Sequence, residues 1–141
     1  MCGIVGYTGK RAAMPVLING LKKLEYRGYD SAGVALANNQ GILTRKQSGK
    51  VAGLDQLISD DPLHKELSAS HCGIAHTRWA THGPPTTANA HPHQGPNGRI
   101  ALVHNGINEN HNTQRDRFLA GGNTITSETD TEVLAHHIES Q

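Results

Sequence analysis

Residues 3–7 (Gly-Ile-Val-Gly-Tyr) read as a short strand that runs into a turn at Thr8-Gly9. Met14, Leu17, Ile18, Leu21 and Leu24 then recur at three- and four-residue spacing, the stripe of an amphipathic helix, with Pro15 acceptable in its first turn. Gly28 stops that helix. Residues 31–37 predict a buried strand, Asn38-Asn39-Gln40-Gly41 a hairpin turn, and residues 42–47 the return strand. Val51, Leu54, Leu57 and Ile58 predict a second, shorter helix closed by Asp60-Asp61-Pro62, and residues 72–77 a third strand. Residues 80–99 carry Gly, Pro, Asn, Thr and His with no apolar period. They predict a long ordered loop, a kind of segment that is often functional in compact domains.

The pattern resumes at residues 100–104, a fourth strand running into Asn105-Gly106. A polar helix follows over 109–119, ended by Gly121-Gly122, and 124–126 predict a further short strand. The last helix starts at Thr129 or Asp130, where acidic residues suit the helix dipole, and Val133, Leu134 and Ile138 give it an apolar face. No Gly, Asn or Pro closes it before Gln141, so residues 1–141 read as the front part of a longer unit.

Length and charge narrow the class. The 141 residues suit one domain with one sizeable core. Lys and Arg number 13 against 12 Asp and Glu, and a net charge of +1 gives no reason to expect nucleic acid or an anionic membrane as partner. There is no apolar run of bilayer length and no basic start before an apolar core, so a cytoplasmic, reducing compartment is expected. With only Cys2 and Cys72 present, two free thiols are the stronger expectation and one disulfide the weaker.

Cys2 changes the picture chemically. Removal of Met1 would leave a thiol and a free α-amine on one residue. An α-amine titrates at about 7.7–8.0 and a thiol at about 8.5, so the amine has an accessible neutral form that can act as base for its own thiol. That is the N-terminal nucleophile arrangement, and Gly3 beside it allows close backbone approach. Taken alone, Met-Cys-Gly is also an ordinary start, and a cysteine is often inert packing.

Three other segments can complete a site. His76-Thr77-Arg78-Trp79-Ala80-Thr81-His82-Gly83 follows a strand and combines an Arg suited to two-pronged carboxylate binding with the only Trp, which can exclude water. A strand end with a packed Trp and a surface Arg explains it equally well. Asn105-Gly106 can direct a side-chain amide and a backbone N–H at a developing oxyanion, but Asn-Gly is also the commonest tight-turn dipeptide. Ser127-Glu128-Thr129-Asp130-Thr131-Glu132 suits helix capping, or one carboxylate turned inward onto an ammonium group. His91-Pro92-His93 suggests a metal only weakly, because no paired-Cys or His-Glu-x-x-His pattern accompanies it, and His136-His137 reads as helix surface.

Together, six segments in order along the whole chain resemble the class II glutamine amidotransferases: 1–6, 24–33 (Leu-Glu-Tyr-Arg-Gly-Tyr-Asp-Ser-Ala-Gly), 76–83, 89–93 (Asn-Ala-His-Pro-His), 103–106 (Val-His-Asn-Gly) and 127–132. Within that class they are most similar to the glutaminase domain of the branch that makes glucosamine 6-phosphate from fructose 6-phosphate. The resemblance implies an α+β fold, the Ntn-hydrolase αββα sandwich of antiparallel sheets, here incomplete at its C-terminal end. It implies that Cys2 attacks the amide of L-glutamine, with Asn105 and the Gly106 backbone as oxyanion hole. Arg78 would take the glutamine α-carboxylate and Asp130 its α-ammonium. Thr81 and His82 would line the pocket, Trp79 would sit on a covering loop, and Arg27 would support the Cys2 turn. Structural roles are implied for His91 and His104. No metal and no organic cofactor is implied. The implied partners are glutamine and an isomerase domain absent from this chain, in a homo-oligomer at full length. Asn108 departs from the family, which has an aliphatic residue there. The competing readings are a purine-pathway amidophosphoribosyltransferase type, a truncated non-catalytic glutamine-binding module, and a His-rich metal binder.

Overall fold

A computed structural model describes residues 1–80 and 83–141. Its elements are β1 (Gly3–Thr8), α1 (Ala13–Leu24), a 3-10 turn (Glu25–Arg27), β2 (Ser31–Asn38), β3 (Gly41–Ser48), α2 (Val51–Ser59), α3 (His64–Ala69), β4 (Cys72–Arg78), β5 (His93–Gln94), β6 (Ala101–Leu102), α4 (His111–Ala120) and α5 (Asp130–Glu139). A four-stranded antiparallel sheet runs β1-β4-β2-β3, and β5-β6 form a second, two-stranded one. The architecture is α+β with antiparallel sheets, as expected. Among the described residues no helix is long and apolar enough to cross a membrane.

One face of the large sheet makes the core. Ala32, Val34 and Leu36 of β2 and Ala75 of β4 pack against Leu17, Ile18 and Leu21 of α1, Val51, Leu54 and Ile58 of α2, and Leu67 of α3. Leu17, Leu21, Leu36, Leu54, Ile58 and Leu67 are fully buried, each stabilising the fold by about 1.5–3 kcal/mol. The opposite face is held under the long loop. Gly33 of β2 allows it: a Cβ there would lie 2.2 Å from the carbonyl oxygen of His91. Lys46 Nζ donates to the Ala88 carbonyl at 3.1 Å and Gln94 Nε2 to that of Ile42 at 3.4 Å, so sheet and loop are laced together. This is why β2 is buried on both faces and why an aperiodic segment is ordered.

Several expectations need correction. Residues 63–71 carried no assigned element, yet α3 forms there, too short for a period to show. The strand expected over 100–104 is reduced to β6, and none forms over 124–126, where the Thr126 N–H donates to Glu132 instead. In α5 the expected apolar face is borne out only in part: Val133 is fully buried, but Ile138 is 46% exposed, and the polar Asp130, Thr131, Glu132, His136 and Glu139 are buried as well. These groups are buried because distant partners satisfy them. The Glu139 carboxylate accepts the backbone N–H groups of Asn97 and Arg99, each at 2.6 Å, and Glu132 accepts those of Thr126 and Ser127 at 2.8 and 2.6 Å. His136 is therefore interior, not surface. The Thr129 hydroxyl does not cap α5; it meets Ser127 and His93. Cys2 and Cys72 are free and lie at opposite ends of the β1–β4 pair, where Gly3 faces Thr77 and Thr8 faces Cys72.

Candidate active site

The register of β1 on β4 sets Cys2 beside the end of β4. Cys2 Sγ accepts the Trp79 N–H at 3.1 Å and lies 3.6 Å from the Trp79 carbonyl oxygen, to which the thiol can donate. Residue 30 fixes that peptide from both sides. The Asp30 N–H donates to the Arg78 carbonyl at 2.8 Å, and its carboxylate accepts the Ala80 N–H. Gly3 donates to Thr77 Oγ1 at 3.2 Å. A Cβ at Gly3 would sit 2.8 Å from Leu24 and 2.9 Å from Thr77, so its small size serves the packing of β1 against α1 and β4. The Met1 ammonium donates to the Arg27 carbonyl at 2.8 Å and the Arg27 guanidinium to Met1 Sδ at 3.4 Å, so Arg27 touches the residue before Cys2.

Cys2, Arg78, Trp79, Asn105, Gly106 and Asp130 line one cleft, together with His76, His91, His104, Thr129 and Thr131. Asn105 Nδ2 points toward Cys2, donating to its carbonyl at 3.4 Å. Arg78 is buried, and its guanidinium donates to the Pro84 carbonyl at 3.2 Å. Asp130, also buried, heads α5 and accepts the Asn108 N–H at 2.6 Å. The departure at Asn108 is accommodated: its side-chain amide reaches Gln114 Oε1 at 3.3 Å, and the contact to Asp130 uses only its backbone. The Trp79 ring is 53% exposed and leans on Gly28, whose φ of 110° no side chain suits and whose Cβ would fall 2.1 Å from Trp79 Cε3. Thr81 and His82 lie outside the described residues.

Behind the cleft three imidazoles stack. His76 and His91 lie 4.3 Å apart at 16°, and His91 meets His93 edge-on at 4.8 Å. His76 Nε2 is 2.7 Å from Asn105 Oδ1 and His93 Nε2 is 2.8 Å from Thr129 Oγ1. Among the described residues no three His, Cys, Asp or Glu are grouped to hold a metal ion. Burial pushes His76 down to about 4 and His93 to about 3, and lowers His91 as well. An unfolded histidine titrates near 6.5, so below that pH the unfolded chain binds more protons than the folded one. Stability should therefore be complete above about pH 6.5 and fall as pH drops toward 4, by about 1.4 kcal/mol per pH unit for each ring that stays neutral. Urea midpoints between pH 7.5 and 4 check this; His91→Phe should flatten the profile.

No role was expected for Asp30 or Asn89, nor for His76 and Thr77 within the segment 76–83. Asn89 Nδ2 donates to the Pro84 carbonyl at 3.0 Å while its Oδ1 accepts the Glu128 N–H at 2.8 Å, tying the loop beyond Arg78 to the segment before Asp130. Strand alternation could have flagged His76, two residues before Arg78 on the same face. Nothing local marks the others.

Residues 59–141 match the family described as "Glutamine amidotransferase domain". Two relatives named glutamine–fructose-6-phosphate aminotransferase [isomerizing] share 55% identity: one from Thermus thermophilus over 99% of this chain, one from Streptomyces coelicolor over 96%. The chain spans 22% of the length of each. The glutamine phosphoribosylpyrophosphate (PRPP) amidotransferase of B. subtilis, solved with ADP and GMP, superposes on all of this chain and 30% of its own with a TM-score of 0.77 and 26% identity. A structure described as the allosteric regulatory enzyme of purine biosynthesis matches at the same TM-score with 27% identity.

Proposed function

We propose, for a chain that belongs to the glutamine amidotransferase family, that it hydrolyses the side-chain amide of L-glutamine through Cys2. The observation that carries this reading is the convergence on one cleft of a thiol, an Asn-Gly pair, a buried guanidinium and a buried carboxylate. Once Met1 is removed, the α-amine of Cys2 takes the thiol proton and the sulfur attacks the amide carbon. The carbonyl oxygen becomes an oxyanion facing Asn105 Nδ2 and the Gly106 N–H. Collapse breaks the C–N bond, the ammonium of Cys2 returns its proton to the leaving nitrogen, and ammonia departs. Water then attacks the thioester, and glutamate leaves with Cys2 restored.

Arg78 binds the substrate carboxylate and Asp130 its ammonium in this reading, Trp79 guards the mouth, and Thr81 and His82 line it. Arg27 supports the N-terminal turn. The ammonia goes to fructose 6-phosphate in an isomerase domain of a longer protein, giving glucosamine 6-phosphate. The 55% identity over nearly the whole chain favours this acceptor over a purine precursor. The same reading assigns a cytoplasmic homo-oligomer with no nucleic-acid partner.

The test is release of glutamate and ammonia in equal amounts from glutamine by the processed chain; binding of glutamine without release would overturn the reading in favour of a binding module. Arg78→Lys should raise KM for glutamine about 10- to 100-fold with little change in kcat, because a paired, charge-assisted contact of about 1.5–3 kcal/mol is lost. Initial-rate kinetics check it.

A further inference from the structure

We infer that His76 is a positioning residue for the oxyanion hole: its Nε2–H fixes the Asn105 amide with the NH₂ group turned toward Cys2. The inference rests on the glutaminase reading above and concerns a residue that does not itself touch the reacting atoms.

The geometry begins in β4. Ile4 and Gly33 flank His76 in the sheet, and because Gly33 has no side chain the His91 segment lies close above it. The His76 ring is thereby trapped, 1% exposed and stacked on His91 at 4.3 Å. Among the described residues its ring nitrogen Nε2 meets Asn105 Oδ1 at 2.7 Å, and Nδ1 is buried with no partner.

The contact has a direction. Oδ1 can only accept, so the hydrogen lies on His76 Nε2 and the two amide hydrogens of Asn105 face away from the ring. There Nδ2 stands 3.4 Å from the Cys2 carbonyl, the position from which, in the glutaminase reading, it meets the oxyanion. Turning the amide over would aim Oδ1 at that carbonyl and at the developing oxyanion. It would also move the His76 hydrogen to Nδ1, leaving a buried N–H donor unpaired, which is rarer than an unpaired acceptor. Burial, which holds His76 down to about 4, keeps the ring a neutral single donor at working pH.

His76→Phe keeps the stacking and removes the donor; His76→Gln keeps an N–H of similar reach. On the full, processed chain we expect H76F to lose about 10²-fold in kcat with KM changed less than about threefold, and H76Q to stay within about tenfold of wild type. Alkylation of Cys2 by iodoacetamide forms an S–C bond and releases iodide without any oxyanion, so its rate should be unchanged in both. In an N105A background, H76F should add no further loss. Wild-type kcat in H76F overturns the inference. So does parallel loss of kcat and alkylation rate in both variants, which marks a packing role. If H76F does not fold, H76N, too short to reach Asn105, takes its place with the same expectations. Failure of the wild-type chain to release glutamate would instead overturn the glutaminase reading.

Discussion

Cys2→Ala is expected to lower glutamine hydrolysis by at least about 10⁴-fold while glutamine still binds with its original affinity. In the proposed mechanism Cys2 carries the covalent step, and no other thiol can replace it: Cys72 is at the far end of the β1–β4 pair. Binding should survive because Arg78 and Asp130, which hold the two charged ends of the amino acid in this account, touch Cys2 only through the substrate. Calorimetry on the variant reads the affinity, and the glutamate assay reads the loss. Retention of Met1 should have a related effect of a different size. An acylated Cys2 nitrogen has no lone pair available for protonation, so the thiol loses its base, worth about 10²–10⁴-fold. Blocking Met1 removal should therefore leave a protein that folds as described, with its Met1 ammonium on the Arg27 carbonyl, and turns over slowly. If the Met1-bearing chain works as fast as the processed one, the base lies elsewhere.

Asn105→Ala should cost about 10²–10³-fold in kcat, or roughly 2.7–4 kcal/mol of barrier, with KM nearly constant. In the proposed mechanism the amide meets the oxygen only after the carbonyl becomes tetrahedral, so its loss should fall on the transition state and not on ground-state binding. Asn105→Asp should be at least as damaging, since the side chain is near isosteric but directs a negative charge at an oxyanion. A variant whose KM rises in step with its fall in kcat/KM would make Asn105 a binding residue instead.

Much of the fold was legible because the first half of the chain is built from local periods. The short runs bounded by turns in β1 to β4 and the three-and-four spacing in α1 and α2 need only near neighbours to be read, and the Asn38 turn is confirmed by the Gln40 N–H donating to Asn38 Oδ1 at 2.8 Å. The second half was less legible, because its burial is polar. Nothing in α5 announces that Glu139 will receive the N–H groups of Asn97 and Arg99 some 40 residues away in sequence, nor that His136 will be covered. The site divides in the same way. Cys2, Arg78, Asn105 and Asp130 bear chemistry that stands out in a sequence. Thr77, Asp30 and His76 matter through contacts to Gly3, Ala80 and Asn105 that only the register creates.

Acid-quenching the processed chain during turnover of glutamine and weighing it intact would show whether Cys2 carries the glutamyl group. The expected species is heavier by one glutamine less one ammonia, located on the N-terminal Cys2 peptide, labile to hydroxylamine and absent from Cys2→Ala. Sustained turnover by Cys2→Ala, or an adduct on any other residue, would contradict that role for Cys2.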